Sequence, residues 1–325
     1  MPVVVEKQTI GRKADPSDPL IKDLLQSFDN VFGLHPGFRP VHAKGVMCSG
    51  TFTPTAAAKQ LTRAPHVARP TTNVIVRFSD FAGVPEVPDN DPHIASPRGM
   101  AIRFYLAEHV HTDIVAHSAD GFPVRTGEEF LELNRAVAAS LSAASHPTPV
   151  EAFVMSHPTA LAFVQMPKPI PTSFARESFF GVSAFKFTNA EGASRFGRYR
   201  ILPEAGNEYL TDEQAAKQSP NFLFDEFTQR IAKGPVKYRM MVQLAEAGDK
   251  TDDATVRWPA NRQEIEFGTV TLSKRENDQE PELKKIIFDP RPQVDGIEAS
   301  ADPLLEVRAN LYLLSGRRRR SASGL

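Results

Sequence analysis

The sequence reads as an α+β protein, an antiparallel sheet or barrel with helices grouped outside it. Two observations carry that reading. Short β-like runs recur along the chain, each bounded by Gly, Pro, Asn or Asp. Most of these runs are joined by short polar links and not by helices, which favours antiparallel over parallel pairing.

The first element is a helix over 18–32, where an amphipathic stripe follows Asp18 as cap and Pro19 in the first position. His35-Pro36-Gly37 breaks it. Strands are expected at Val46 to Thr53, Asn73 to Ser79, Gly99 to Tyr105 and Thr112 to Ala116. The stretch 84–92 is too rich in Pro and Asp for any element. Helices follow at 127–145, striped by Phe130, Leu131, Leu133, Val137 and Leu141, and at 150–165. Strands are expected at 182–189 and 197–202, a helix at about 221–233, and strands at 236–245 and 265–273. The last helix runs from about 303 to 319 and is started by Asp302-Pro303. No internal repeat or composition break divides the chain, so residues 1–325 read as one domain.

Composition narrows the function. Hydrophobic residues make up 41% and charged residues 24% of 325, ordinary values for a globular chain. Lys+Arg 38 against Asp+Glu 39 gives a net charge of -1, so no nucleic-acid partner is expected. The one local exception is Arg317-Arg318-Arg319-Arg320. A single cysteine, Cys48, excludes an internal disulfide and argues against a Cys-based metal centre. No run approaches the roughly 18 apolar residues of a spanning helix, so no membrane partner is expected. Met1 to Lys7 is not a signal peptide, because its apolar run is too short. The expected compartment is the cytoplasm, or the periplasm if a leader has been removed. Phosphate loops, His-Glu-x-x-His and Gly-x-Ser-x-Gly are absent, leaving little support for a nucleotide enzyme or a simple hydrolase.

Nine histidines then need sorting. His66, His93, His146 and His157 stand beside Pro or in loop-like text and read as surface or core residues. His109 and His111 are spaced to ligate a metal from one face of a strand, although no Cys or carboxylate pattern accompanies them. His42, in Arg39-Pro40-Val41-His42-Ala43-Lys44-Gly45, is expected to open a strand and can serve as a base facing a cavity. Arg308 and Tyr312 are four apart and share a face of the last helix. They read either as a core tyrosine covered by an arginine or as a metal-binding phenolate. A guanidinium one turn away favours the phenolate by Coulomb attraction and hydrogen bonding, and tyrosinate is a known axial ligand of haem.

These residues resemble those of the haem catalase superfamily. Arg39 to Gly45 with Gly50-Thr51-Phe52 resembles the distal segment of that family. Val76-Arg77-Phe78-Ser79 and Ser96-Pro97-Arg98-Gly99-Met100-Ala101-Ile102-Arg103-Phe104-Tyr105 resemble two of its strands. Phe288-Asp289-Pro290, Gly296-Ile297-Glu298 and Arg308-Ala309-Asn310-Leu311-Tyr312 resemble the proximal region. The motifs run in order from residue 39 to 319, and the chain is similar to the small catalase-related peroxidases. The resemblance implies an eight-stranded antiparallel barrel with flanking helices around haem b. It also implies a single catalase-like haem domain over 1–325, without the wrapping segment and C-terminal helical domain of full catalases.

Carried over residue by residue, the resemblance makes His42 the distal acid–base and Tyr312 the iron ligand, with Arg308 as its partner. Val41 would pack over the distal face, and Ser79 would hold the second ring nitrogen of His42. Arg39, Arg77 and Arg319 would meet the haem propionates, the rest of the arginine run being solvated. Phe122 would pack near the haem. One departure stands out: His117 takes the place of the distal asparagine. The expected activity is therefore a peroxidase acting on organic hydroperoxides and hydrogen peroxide, with weak or no catalase activity. Its partners would be a small peroxide and a reducing co-substrate, in a homodimer. An allene oxide synthase is the nearest rival, and a haem carrier without turnover is the rival from another class. Val41 and His117 count against the first, and a base placed beside the iron against the second.

Overall fold

A computed structural model of the chain describes residues 15, 17–277, 284–322 and 324. Helix α1 (Pro19–Phe32) begins where expected: the Asp18 carboxylate accepts from the Leu20 amide at 2.9 Å. Its apolar stripe of Ile21, Leu24, Leu25 and Phe28 is buried. The chain then enters β1 (Gly45–Pro54), makes two short helices, α2 (Ala56–Leu61) and α3 (Pro65–Ala68), and continues into β2 (Thr72–Ser79). Strands β3 (Gly99–Ala107) and β4 (Val110–His117) follow, then α4 (Gly127–Ser140), α5 (Pro149–Ser156) and α6 (Pro158–Gln165). Next come β5 (Phe179–Phe180), β6 (Phe185–Thr188) and β7 (Ser194–Pro203). Helices α7 (Asp212–Ala216) and α8 (Phe222–Lys233) precede β8 (Val236–Leu244), β9 (Glu264–Arg275), β10 (Ile297–Ala299) and α9 (Pro303–Ala322).

Eight of these strands close into an antiparallel barrel. The ring runs β1, β2, β3, β4, β5, β7, β8, β9 and back to β1. Strand β6 pairs with the first half of β7 and carries β10 on its other edge. Closure leaves no long open edge, which is how an antiparallel sheet avoids pairing with other chains. Phe52, Phe78, Phe104, Phe174, Phe179, Phe267 and Tyr238 are almost wholly buried inside. Each such side chain contributes roughly 1.5–3 kcal/mol by leaving water. The Tyr238 hydroxyl satisfies itself by donating to the Phe174 carbonyl at 2.6 Å.

Outside the barrel, α1 packs with α4 and α9 through Leu24, Leu25, Phe28, Leu131 and Leu311. The α+β expectation and the eight-stranded barrel therefore hold, with local differences. The helix expected at 150–165 is two helices, because Pro158 has no amide to donate and restarts the chain after His157. The helix expected to reach 145 ends at Ser140. The strand expected at 182–189 is only Phe185–Thr188, and the two-residue β5 precedes it. Short helices α2 and α3 interrupt the region expected to hold only strands.

Candidate active site

The site lies on the outer wall of the barrel, and strand register sets it out. Gly45 pairs with Ser79, Ser79 with Gly99, Gly99 with His117 and His117 with Phe180, one rung across five strands. Two residues along, Met47, Arg77, Ala101 and Val115 form the next rung. Side chains alternate across a strand, so both rungs face the same way. The intervening Val46, Phe78, Met100 and Ala116 fill the barrel core. Facing this wall is α9, where Arg308, Tyr312, Ser315 and Arg319 recur at helical spacing on one face. Between the two surfaces is a cavity of about 890 Å³. All ten residues singled out from the sequence line it: Arg39, Val41, His42, Arg77, Ser79, His117, Phe122, Arg308, Tyr312 and Arg319.

His42 does not open a strand. It precedes β1 in a loop, with φ of 57°, a backbone region costly for a non-glycine residue. The surroundings hold it there. Its amide donates to the Phe81 carbonyl at 2.7 Å, and Arg77 donates to its carbonyl at 2.9 Å. On the ring, Nδ1 lies 2.9 Å from the Asp80 carbonyl and 3.1 Å from Ser79 Oγ. A carbonyl only accepts, so the Nδ1 proton points at it and Nε2 keeps a free lone pair. Burial, with help from the Arg77 guanidinium, lowers the imidazole pKa to about 3, leaving a neutral base at pH 7.

His117 ends β4 and is oriented the other way round. Its Nδ1 accepts from the Ala119 amide at 3.3 Å. A neutral ring in that arrangement carries its proton on Nε2. Burial and then the Arg308 charge lower its pKa to about 3 as well. The two rings are thus complementary, one with a free acceptor and one with a free donor. Phe122 stands 6.4 Å from His117, centroid to centroid.

Arg39, Arg77 and Arg319 gather at one end of the cavity. Each lowers or is lowered by its neighbours' charge: burial depresses Arg39 most, then Arg77 and Arg319. Burial likewise brings Arg319 down to about 10. Arg39 and Arg319 donate only to backbone carbonyls, those of Lys284 and Ile286, and have no carboxylate partner among the described residues. Arg39 and Arg319, converging there without a carboxylate among the described residues, suit a ligand that carries carboxylates. At the other end, Arg308 Nε donates to the Tyr312 hydroxyl oxygen at 3.2 Å.

Two further expectations need correcting. The arginine run is not simply one clamp among solvated neighbours, because Arg318 makes a two-pronged ion pair with Asp29 of α1. His109 and His111 do not share a strand face: His109 lies in the turn between β3 and β4 with φ of 59°. His66, beside Pro65, is a core residue, one of the two readings the sequence allowed it. Sequence reasoning also missed two supports of His42. Gly99 leaves space that a Cβ would take, 2.6 Å from Ser79 Oγ and 2.8 Å from His42 Nδ1. Beneath the loop, Arg98 pairs with Asp80 at 2.9 Å, and Asp89 binds Lys44 and caps Leu223 at 2.8 Å. Burial pushes the Asp80 carboxyl up while Arg98 opposes it.

The sequence profile of the catalase family matches residues 23–323. The chain belongs to the catalase family. It is 36% identical over 286 residues to a catalase-related peroxidase of Mycolicibacterium paratuberculosis, covering 87% of this chain and 89% of that one. A catalase-related peroxidase of Synechococcus elongatus is 32% identical, covering 94% and 90%. Catalase-2 of Bacillus subtilis is 29% identical over 84% of this chain and 42% of its own. A fungal catalase crystal structure superposes with a TM-score of 0.77 at 22% identity, over 96% of this chain and 65% of that one.

Membership in the catalase family implies a haem cofactor, and the residues present fit one. The cavity is walled by apolar side chains such as Val41, Phe122, Phe130 and Leu311, which suit a porphyrin face. Its cationic end suits propionates. Its single tyrosine has an arginine donor on the oxygen and faces the same space, which places an oxygen donor of the kind known to hold haem iron in the cavity.

Proposed function

We propose that this protein is a haem b-dependent peroxidase that reduces hydroperoxides at the expense of a reducing co-substrate, with little oxygen-releasing catalase turnover. The observation that carries it is the pairing of His42 and His117 over one cavity, a free acceptor facing a free donor. The relatives named catalase-related peroxidase support the class of reaction.

When bound, haem supplies the iron at which the O–O bond of a hydroperoxide is weakened and electrons from a donor are delivered. Tyr312 would hold it through its side-chain oxygen, to which Arg308 donates a hydrogen bond. Arg39, Arg77 and Arg319 would bind the propionates and set its orientation, with Val41 and Phe122 against the ring. At His42, Nε2 takes the proton from the inner peroxide oxygen and returns it to the outer one as the bond breaks. Ser79 and the Asp80 carbonyl hold the ring so that Nε2 is the nitrogen presented. His117 donates its Nε2 proton in a hydrogen bond to bound peroxide. The whole of 1–325 acts as one haem domain, since site residues come from both Arg39 and Arg319. The reading includes a homodimer in solution, favoured by the exposed apolar Leu34 and Phe38.

An imidazole at the asparagine position offers one donor where an amide offers two, so a second peroxide is held less well than a reducing donor is used. Donor oxidation driven by cumene hydroperoxide should exceed oxygen release from hydrogen peroxide, and His117→Asn should shift the balance toward oxygen. An oxygen electrode run beside a donor-oxidation assay tests this. Oxygen release from the wild type at full catalase rates would refute it.

A further inference from the structure

A turn follows His117, and it is held at both ends. Ser118 fixes the near end: its amide donates to the Arg98 carbonyl at 2.8 Å, and its Oγ accepts from the Arg98 amide at 2.9 Å. Ala119 comes next, and its amide is the donor to His117 Nδ1. No backbone hydrogen bond holds residues 120 to 122 among the described residues. The polar tie at the far end is the Asp120 carboxylate, to which Arg200 donates at 3.1 Å.

Strand register brings Arg200 there. His117 of β4 pairs with Phe180 of β5, and Phe180 with Arg200 of β7. Residues opposite one another in antiparallel strands put their side chains on one face. The Arg200 side chain therefore lies on the same outer wall as His117. Its guanidinium sits 5.4 Å from the centre of the Phe180 ring and reaches Asp120, three residues beyond His117. The contacts close a circuit. It runs along the rung from His117 to Arg200, across the ion pair to Asp120, and back through the Ala119 amide to Nδ1. Arg200 does not need Asp120 for its own sake, because Glu264 at 3.2 Å and Gln243 at 3.0 Å also serve it. Arg257 is a second cation on Asp120, but it is exposed and 3.7 Å away, so it adds little.

We propose that Asp120, through its pair with Arg200, is the positioning residue that fixes His117 as a donor at Nε2. The inference rests on the peroxidase reading above and deepens it. A neutral imidazole that accepts at Nδ1 carries its proton at Nε2. Releasing the turn takes the Ala119 amide away, and the ring is then free to rotate or to carry its proton on Nδ1. Asp120 does not line the cavity, so it acts through the turn alone.

The fluoride affinity of the ferric, haem-loaded protein reads this without turnover, because fluoride on the iron accepts a hydrogen bond from a distal donor. Asp120→Ala should weaken fluoride binding by at least about five-fold, the scale of one hydrogen bond, and slow donor oxidation with cumene hydroperoxide in step. In a His117→Ala background the same substitution should change neither by more than about two-fold, since an effect that passes through His117 vanishes with it. Asp120→Ser, polar but one atom shorter than aspartate, repeats the comparison if the alanine variant does not hold haem. Loss of haem from both would overturn the proposal, because the role claimed is confined to His117. Equal losses in both backgrounds would overturn it too, as would fluoride affinity of Asp120→Ala within about two-fold of the wild type. The single variant His117→Ala separates this failure from that of the peroxidase reading. A loss in His117→Ala with none in Asp120→Ala overturns the role of Asp120 alone, and no loss in His117→Ala overturns the donor role of His117 together with this proposal.

Discussion

At the scale of single residues, the site depends on which nitrogen of each imidazole is free. His42 is held by its Nδ1 and by its backbone, and it makes no contact that haem retention would need. His42→Ala should therefore keep haem while slowing peroxide cleavage by at least about 10²-fold, the loss usual for a general base. Stopped-flow rates within a few-fold of wild type would remove His42 from this role. His66 makes a different point. It is 1% exposed among Phe52, Phe104 and Phe267, with neither ring nitrogen hydrogen-bonded among the described residues. Burial lowers its pKa to about 4. The unfolded chain then binds a proton between about pH 6.5 and 4 that the folded chain refuses, so stability is complete above 6.5 and is lost as pH falls through that window. At pH 5 the loss from this residue is about 2 kcal/mol. His66→Leu should show a smaller fall in Tm between pH 7 and pH 5 than the wild type. Parallel falls would mean that His66 has a partner or is wetter than its surroundings indicate.

At the scale of elements, the capped and strongly striped segments were legible. Asp18-Pro19 and the Ile21, Leu24, Leu25, Phe28 stripe mark α1 to within a residue, and bounding Gly, Pro, Asn and Asp mark β1 to β4. Elements too short for a period were not: β5 is two residues and α3 four. Arg39, His42, Arg308 and Tyr312 stood out through motif order. Gly99, Asp80 and Arg98 as supports of His42 did not, because their contacts arise from strand register and loop packing. Gly99 shows the cost of ignoring register. Gly99→Ala puts a methyl where the imidazole and Ser79 Oγ now sit. Displacing the ring by under an ångström should lower the peroxide reaction rate by at least about ten-fold. The thermal midpoint should stay within a few degrees, because the strand backbone accepts alanine. An unchanged rate would show that the ring relaxes freely.

At the scale of the whole molecule, the barrel wall and the α1–α4–α9 layer are two faces of one cavity, and neither holds the site alone. Residues 39 to 117 provide the wall, and residues 308 to 319 the opposing helix. The extremes of the chain must meet before any haem can be gripped. Closure is supported by the Arg318–Asp29 ion pair between α9 and α1 and by the carbonyls of Lys284 and Ile286 that hold Arg319. We propose that α9 presents Tyr312, backed by Arg308, as the residue to which haem binds. Absorption spectra and haem content of Tyr312→Phe beside the wild type test it most directly. The account predicts one haem per wild-type chain with a ferric tyrosinate spectrum, and loss of that spectrum or of the haem itself in the variant. A variant with unchanged haem content and an unchanged spectrum would contradict it.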